Sequence, residues 1–180
     1  MGRLPFAVAA LCLAAAPGFA QTPKPAARAT ATATASIINT EGAQIGTATL
    51  RQTLHGVLIA VEVSGLPQGE HGFHIHQTGR CDPKDGFKTA GGHYAPRQKR
   101  HGLMDPDGPH AGDMPNQLVG AAGTMSVQVL DTAVTLEPGK ATLFDDDGSA
   151  IVIHSGPDDY VSQPAGNAGD RIACGVIKKS

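Results

Sequence analysis

Gly56-Val57-Leu58-Ile59-Ala60-Val61-Glu62-Val63-Ser64 is the stretch on which the architecture turns. Val57, Ile59, Val61 and Val63 alternate with Leu58, Ala60, Glu62 and Ser64, the period of two that lays one face of a strand on a core. Outward from it, further short strand candidates lie at 34–39, 44–52, 70–76, 123–130, 140–143 and 150–154, broken by Gly, Pro and Asp. Many short strands with such breaks predict an all-β sandwich or Greek-key barrel, and long helices have little support. Residues 77–118 and 155–171 lack strand character. Connections of that length inside one compact domain are functional or disordered, and metal ligands with a disulfide would supply order that their composition does not.

The ends and the composition narrow the setting. Arg3 precedes an apolar run from Leu4 to Ala16, with small residues Gly18 and Ala20 before Gln21, the pattern of an export signal over 1–20. The run is too short to span a membrane, so no stable membrane insertion is expected. Residues 21–34, rich in Pro, Ala and Thr, read as a flexible tether or a ragged start to the first strand, leaving 35–180 as one domain. Cys12 goes with the signal; Cys81 and Cys174 remain, and in an oxidising compartment one long-range disulfide is their simplest fate. The formal net charge of −2, without a basic aromatic stripe, argues against nucleic acid as a partner. Lys84, Lys88, Arg97, Lys99 and Arg100 nevertheless cluster along one loop, where a small anion could be drawn.

Chemistry concentrates in the histidines. In His74-Ile75-His76 the two imidazoles share a strand face, with Phe73 and Ile75 on the other, and the alternation around Val152 and His154 lets a second strand present His154 to that pair. His-x-His alone is a weak sign. His93 follows Gly91-Gly92, and His101 and His110-Ala111-Gly112-Asp113 recur within the same loop. Three imidazoles and a carboxylate make a closed tetrahedral site of structural-zinc character, and His74, His76 and His154 supply a neighbouring site that needs a redox-capable metal if it is to perform a reaction. His55 and His71 fall outside the pattern.

Gly72-Phe73-His74-Ile75-His76, Gly91-Gly92-His93-Tyr94, His101-Gly102, His110-Ala111-Gly112-Asp113 and Asp170-Arg171-Ile172-Ala173-Cys174-Gly175-Val176-Ile177 together resemble the copper-zinc superoxide dismutase family, in its exported bacterial branch. The likeness runs from about Ser36 to Lys178. It implies an eight-stranded Greek-key β-barrel, an immunoglobulin-like sandwich with long metal-binding and active-site loops. It implies copper held by His74, His76, His93 and His154, and zinc held by His93, His101, His110 and Asp113. His93 and Arg171 become the catalytic residues, and Cys81 pairs with Cys174. Asp158 takes the place of a carboxylate that accepts hydrogen bonds from one ligand of each metal, here His74 and His101, and His71 becomes a structural histidine tying loop backbone.

The implied reaction is disproportionation of superoxide to dioxygen and hydrogen peroxide through a copper redox cycle, with zinc fixed in oxidation state. Superoxide is then the small-molecule partner, the periplasm the location, and a homodimer, formed through an edge strand or around Tyr94, the expected assembly. Three departures from the family stand out: Tyr94-Ala95-Pro96 in place of Phe-Asn-Pro, Asp170 beside Arg171, and no animal-type charged segment after His154. Steering of the anion then falls to Arg171, with Lys84 and Lys88 as candidates. Two competing readings are a noncatalytic copper and zinc carrier and a zinc hydrolase; the second lacks a glutamate placed as general base.

Overall fold

The computed structural model describes residues 1–2 and 30–180, so the export-signal reading of 1–20 lies, beyond Met1 and Gly2, outside the described residues, as does most of 21–34. The strands are β1 (Thr32–Asn39), β2 (Gln44–Thr53), β3 (Gly56–Ser64), β4 (Gly69–His71), β5 (Phe73–His76), β6 (Gln117–Val119), β7 (Thr124–Asp131), β8 (Ala150–His154), β9 (Arg171–Val176) and β10 (Lys178–Lys179). Two short 3-10 turns, η1 (Pro83–Asp85) and η2 (Lys88–Ala90), lie in the first long connection. One curled antiparallel sheet runs β5-β8-β9-β1-β2-β3-β7 with β10 on β1, making the eight-stranded Greek-key half-barrel, and β4 pairs with β6 as a separate ribbon.

The alternation of β3 is realised residue by residue: Val57, Ile59, Val61 and Val63 are buried, and β3 pairs over its whole length with β2 and β7. Their side chains join Ile37, Leu50, Phe73, Ile75, Ile151 and Ile153 in one core. β6, β9 and β10 are strands where none was expected, and three of the expected elements are altered. The run 70–76 is two strands in different sheets, broken at Gly72, whose amide donates to Gly156 O and whose carbonyl accepts from His154 N. Residues 140–143 form no strand; Pro138-Gly139 turns the chain, leaving only a single bridge between Thr135 and Thr142. β1 starts at Thr32, taking over the last three residues of the stretch read as flexible, where Thr34 faces Thr49 and Lys178.

β5 is an edge strand, and the first long connection covers it. Ile75 N donates to Gly112 O, Gln77 N to Gly92 O and Tyr94 N to Ile75 O, with bridges His74 to Asp113 and His76 to His93. A strand edge that would otherwise expose unpaired amides is thereby closed by the His-bearing loop itself. For this reason all four residues of β5 are buried, not only those on the core face.

One polar group sits uneasily in this core. Asp131 ends β7 nearly inaccessible, its Oδ1 accepting from Ala133 N while Oδ2 is buried without a partner. Burial pushes its carboxyl up to about 6 against the pull of the Ala133 and Val134 amides. The folded state therefore holds this proton more tightly than the unfolded chain, so stability falls as pH rises from the ordinary carboxylate range to about 6 and is level above it. Asp131→Asn keeps the bond to Ala133 and should raise unfolding stability at pH 7.5 by roughly 1–3 kcal/mol, with the gain shrinking toward pH 4. Denaturant unfolding at both pH values checks this; a gain independent of pH would contradict it.

Candidate metal centre

Two groups of buried donors share one residue. His74, His76, His93 and His154 offer ring nitrogens that all lie within 4.8 Å of one another, and so do the donors of His93, His101, His110 and Asp113. β5 supplies His74 and His76, the end of β8 supplies His154, and the loop that closes the β5 edge supplies the rest. A register shift between Ile153 and His154 sets Arg171 of β9 opposite His154.

In the first group each outer nitrogen is engaged by the surrounding protein, and the inner ones are turned toward one another. His74 Nε2 pairs with Asp158 Oδ2 at 2.8 Å, His76 Nδ1 donates to Gly91 O at 2.9 Å, and His154 Nδ1 faces Gly169 O at 3.3 Å. That leaves His74 Nδ1 and His93 Nε2 buried without partners, and His76 Nε2 facing His154 Nε2 at 3.4 Å. Orphaned inward nitrogens are costly unless something accepts their lone pairs. Burial, reinforced by His74 and Arg171 nearby, draws His154 down to about 3, and burial draws His93 down to about 4 against its bond to Asp113. Burial also holds His76 well below its ordinary value. Neutral imidazoles with free lone pairs are the form that binds a metal.

The second group is organised around a carboxylate. Asp113 Oδ1 lies 2.8 Å from His93 Nδ1, 3.1 Å from His101 Nδ1 and 3.3 Å from His110 Nδ1, while Oδ2 accepts from Gly102 N and His110 N. Burial works against its charge, but the bonds from His101, His110, His93 and Gly102 hold it far below the usual carboxylate range. Asp158 links the two groups, with Oδ2 on His74 and Oδ1 on His101 Nε2 at 3.1 Å, and it too is held low despite burial. Burial disfavours charge on His101, yet its bonds to Asp113 and Asp158 carry it up to about 9. Two buried, ionised carboxylates favour positive charge beside them, which a proton on His101 or a bound metal cation can supply. Three nitrogens and one oxygen suit zinc, and four imidazoles suit copper, so the residues present fit both metals.

Cys81 and Cys174 are joined, with S–S 2.02 Å and Cα–Cα 5.7 Å, beside a small apolar cluster of Phe87, Ala90, Ala150 and Val152. Arg171 makes no ion pair with Asp170: Nη1 donates to Phe87 O and Nη2 to Gly91 O, both at 2.7 Å. Lys84 and Lys88 are exposed on the same segment. His71 lies with Nδ1 against His154 O and Nε2 against Pro67 O, outside both groups, and His55 is exposed.

The copper/zinc superoxide dismutase (SODC) family model matches residues 44–177. The chain belongs to that family. Among superoxide dismutases it is similar to the Cu-Zn superoxide dismutase 1 of Aquifex aeolicus, 58% identical over 146 residues covering 80% of this chain and 86% of that one. The Caulobacter vibrioides Cu-Zn superoxide dismutase is 42% identical over 149 residues, covering 81% and 85%. A solved superoxide dismutase-like protein from Bacillus subtilis aligns with TM-score 0.76 and 38% identity over 79% of this chain and 96% of that one.

Several residues that support this dismutase site escaped the sequence reading. Gln163 brackets the His101 peptide, accepting from its N–H at 3.1 Å and donating to its C=O at 2.8 Å. Asn116 holds Asp158 by two bonds, from Nδ2 to Asp158 O and from Asp158 N to Oδ1. Gly166, at φ 67°, packs so closely over Asp158 and His101 that any Cβ would collide with Asp158 Oδ1. None carries a periodic or motif signal; each matters only because two distant loops meet there. Tyr94, considered for a dimer contact, is instead buried, its hydroxyl donating to Thr142 O at 2.6 Å.

Proposed function

We infer that this chain is a copper-zinc superoxide dismutase that converts superoxide to dioxygen and hydrogen peroxide, with His74, His76, His93 and His154 holding copper and His93, His101, His110 and Asp113 holding zinc. The observation that carries this reading is the single His93 ring with Nδ1 in one donor group and an unpartnered Nε2 in the other. When bound, copper supplies the one-electron oxidation and reduction, and zinc supplies a fixed charge without redox change.

The chain's own groups account for the rest. His93 Nε2 has no competing protein partner, so it is free to hold either a metal or a proton, while Asp113 keeps the ring in place through Nδ1. Asp158 and the carbonyls of Gly91 and Gly169 fix the orientations of His74, His76 and His154. Arg171 uses Nη1 and Nη2 on two backbone carbonyls, which leaves further N–H donors on a fixed guanidinium for a small anion. Lys84 and Lys88, exposed on the adjoining turns, extend the positive field.

Superoxide decay with protein carrying both metals, copper alone or zinc alone tests the activity: turnover should follow copper, and full occupancy without turnover would favour a metal carrier. Arg171→Ala should lower catalytic efficiency by roughly 10-fold with copper content unchanged and a flatter salt dependence. Unchanged efficiency and salt slope would remove Arg171 from the substrate path.

Export to the periplasm is supported by Arg3, the Leu4–Ala16 run and a disulfide suited to an oxidising compartment. No helix of the described residues is long and apolar enough to cross a membrane. A homodimer is supported by exposed Met104 and Val161, which the bond from Met104 N to Tyr160 O sets near each other.

A further inference from the structure

Arg171 is aimed by a turn, and the turn has a keeper. The two carbonyls that hold the guanidinium, Phe87 O and Gly91 O, stand at the two ends of η2, and Gly91 O also accepts from His76 Nδ1. Any shift of η2 therefore moves the guanidinium and a candidate copper ligand together. The turn is not a self-sufficient one: it is three residues long and enters through Phe87 at φ 61° and leaves through Gly91 at φ 74°, both at positive φ.

Asp85 supplies what the turn lacks. Its Oδ2 accepts from Thr89 N at 3.1 Å, in the middle of η2, and Thr89 Oγ1 in turn accepts from Asp82 N at 3.0 Å. Its Oδ1 is buried and has no hydrogen-bond partner. Asp85 makes no ion pair with Arg171, so its charge reaches the guanidinium through space and not through a bond. Burial lowers the Arg171 guanidinium from its ordinary value, and the charge that opposes this is Asp85.

We propose that Asp85 is a positioning residue for Arg171: one oxygen fixes the turn whose carbonyls aim the guanidinium, and the carboxylate charge sets the field against which that guanidinium attracts anions. The inference rests on Arg171 being the anion contact. Asp85 then limits the attraction for superoxide while keeping its direction. Two consequences separate cleanly, because asparagine can still accept from Thr89 N but carries no charge, whereas alanine can do neither.

The test uses the protein loaded with both metals and azide as the probe anion, its affinity read from the visible absorption of copper, with amide hydrogen exchange at Thr89 as a second readout. Asp85→Asn should bind azide about threefold to tenfold more tightly than wild type at low salt, lose that gain as salt is added, and keep Thr89 protected. Asp85→Ala should bind at least about threefold more weakly than Asp85→Asn, with faster exchange at Thr89. Asp85→Asn matching wild type in affinity and salt dependence overturns the proposal, and so does Asp85→Ala matching Asp85→Asn with Thr89 equally protected. Arg171→Ala is the control: unchanged azide affinity there defeats the Arg171 reading and this proposal with it, whereas a loss there with unaltered Asp85 variants defeats the Asp85 role alone.

Discussion

Replacing His93 with alanine is expected to remove a ring nitrogen from both donor groups at once, with loss of zinc retention and a fall in superoxide turnover of roughly 100-fold or more. The reason lies in how little redundancy the ring leaves. Its Nδ1 is 2.8 Å from Asp113 Oδ1, and its Nε2 faces the other group with no protein partner. Asp113 would keep His101 and His110 beside it, so one group drops from four donors to three, and the other retains only His74, His76 and His154. Copper can stay on three imidazoles, but the atom available to hold a proton between the groups is gone. Metal content and turnover measured on the same sample decide the matter; wild-type zinc content with wild-type activity would reject the shared role of His93.

Replacing Cys81 or Cys174 with serine is expected to cost about 2–5 kcal/mol of unfolding stability, because the bond closes a loop with a sequence separation of 93 residues. The cost has a functional edge. Cys81 begins the segment that carries Phe87 and Gly91, whose carbonyls hold Arg171, and Cys174 lies in the same strand as Arg171. Cutting the tie should therefore loosen the guanidinium as well as the loop, although Phe87 remains buried against Val152. Thermal or denaturant unfolding under oxidising conditions, with thiols counted, reads the effect. Two free thiols in active wild-type protein, or serine variants as stable as wild type, would contradict it.

Legibility varied with the kind of signal each element carries. β3 and β8 were readable to the residue, β3 because alternate positions are buried on a sheet and β8 because a short apolar run is buried on both faces. β9 was not, since Arg171-Ile172-Ala173-Cys174-Gly175-Val176 mixes small residues into a strand packed so tightly that a Cβ at Gly175 would collide with Ile37. β6 and β10, of three and two residues, are too short for any period to register. The split at Gly72 is likewise tertiary: a side chain there would press on Ala168 and His74, a crowding that only the folded loops create. In the site, the donor residues were legible as histidines and one aspartate in family order. Asn116 and Gln163 were not, because each acts through a backbone group brought from another loop, and Asp85 was not, because its bond to Thr89 N depends on a turn that carries no periodic signal.

Two metals of different kinds are expected side by side, one on each side of the His93 ring. Crystals of the metal-loaded protein, with diffraction recorded at the absorption edges of copper and of zinc, would locate each ion separately. Two separate anomalous peaks are expected: copper on the Nε2 side of His93 among His74, His76 and His154, and zinc on the Nδ1 side among His101, His110 and Asp113. A single peak, or two peaks that do not share His93, would contradict this arrangement.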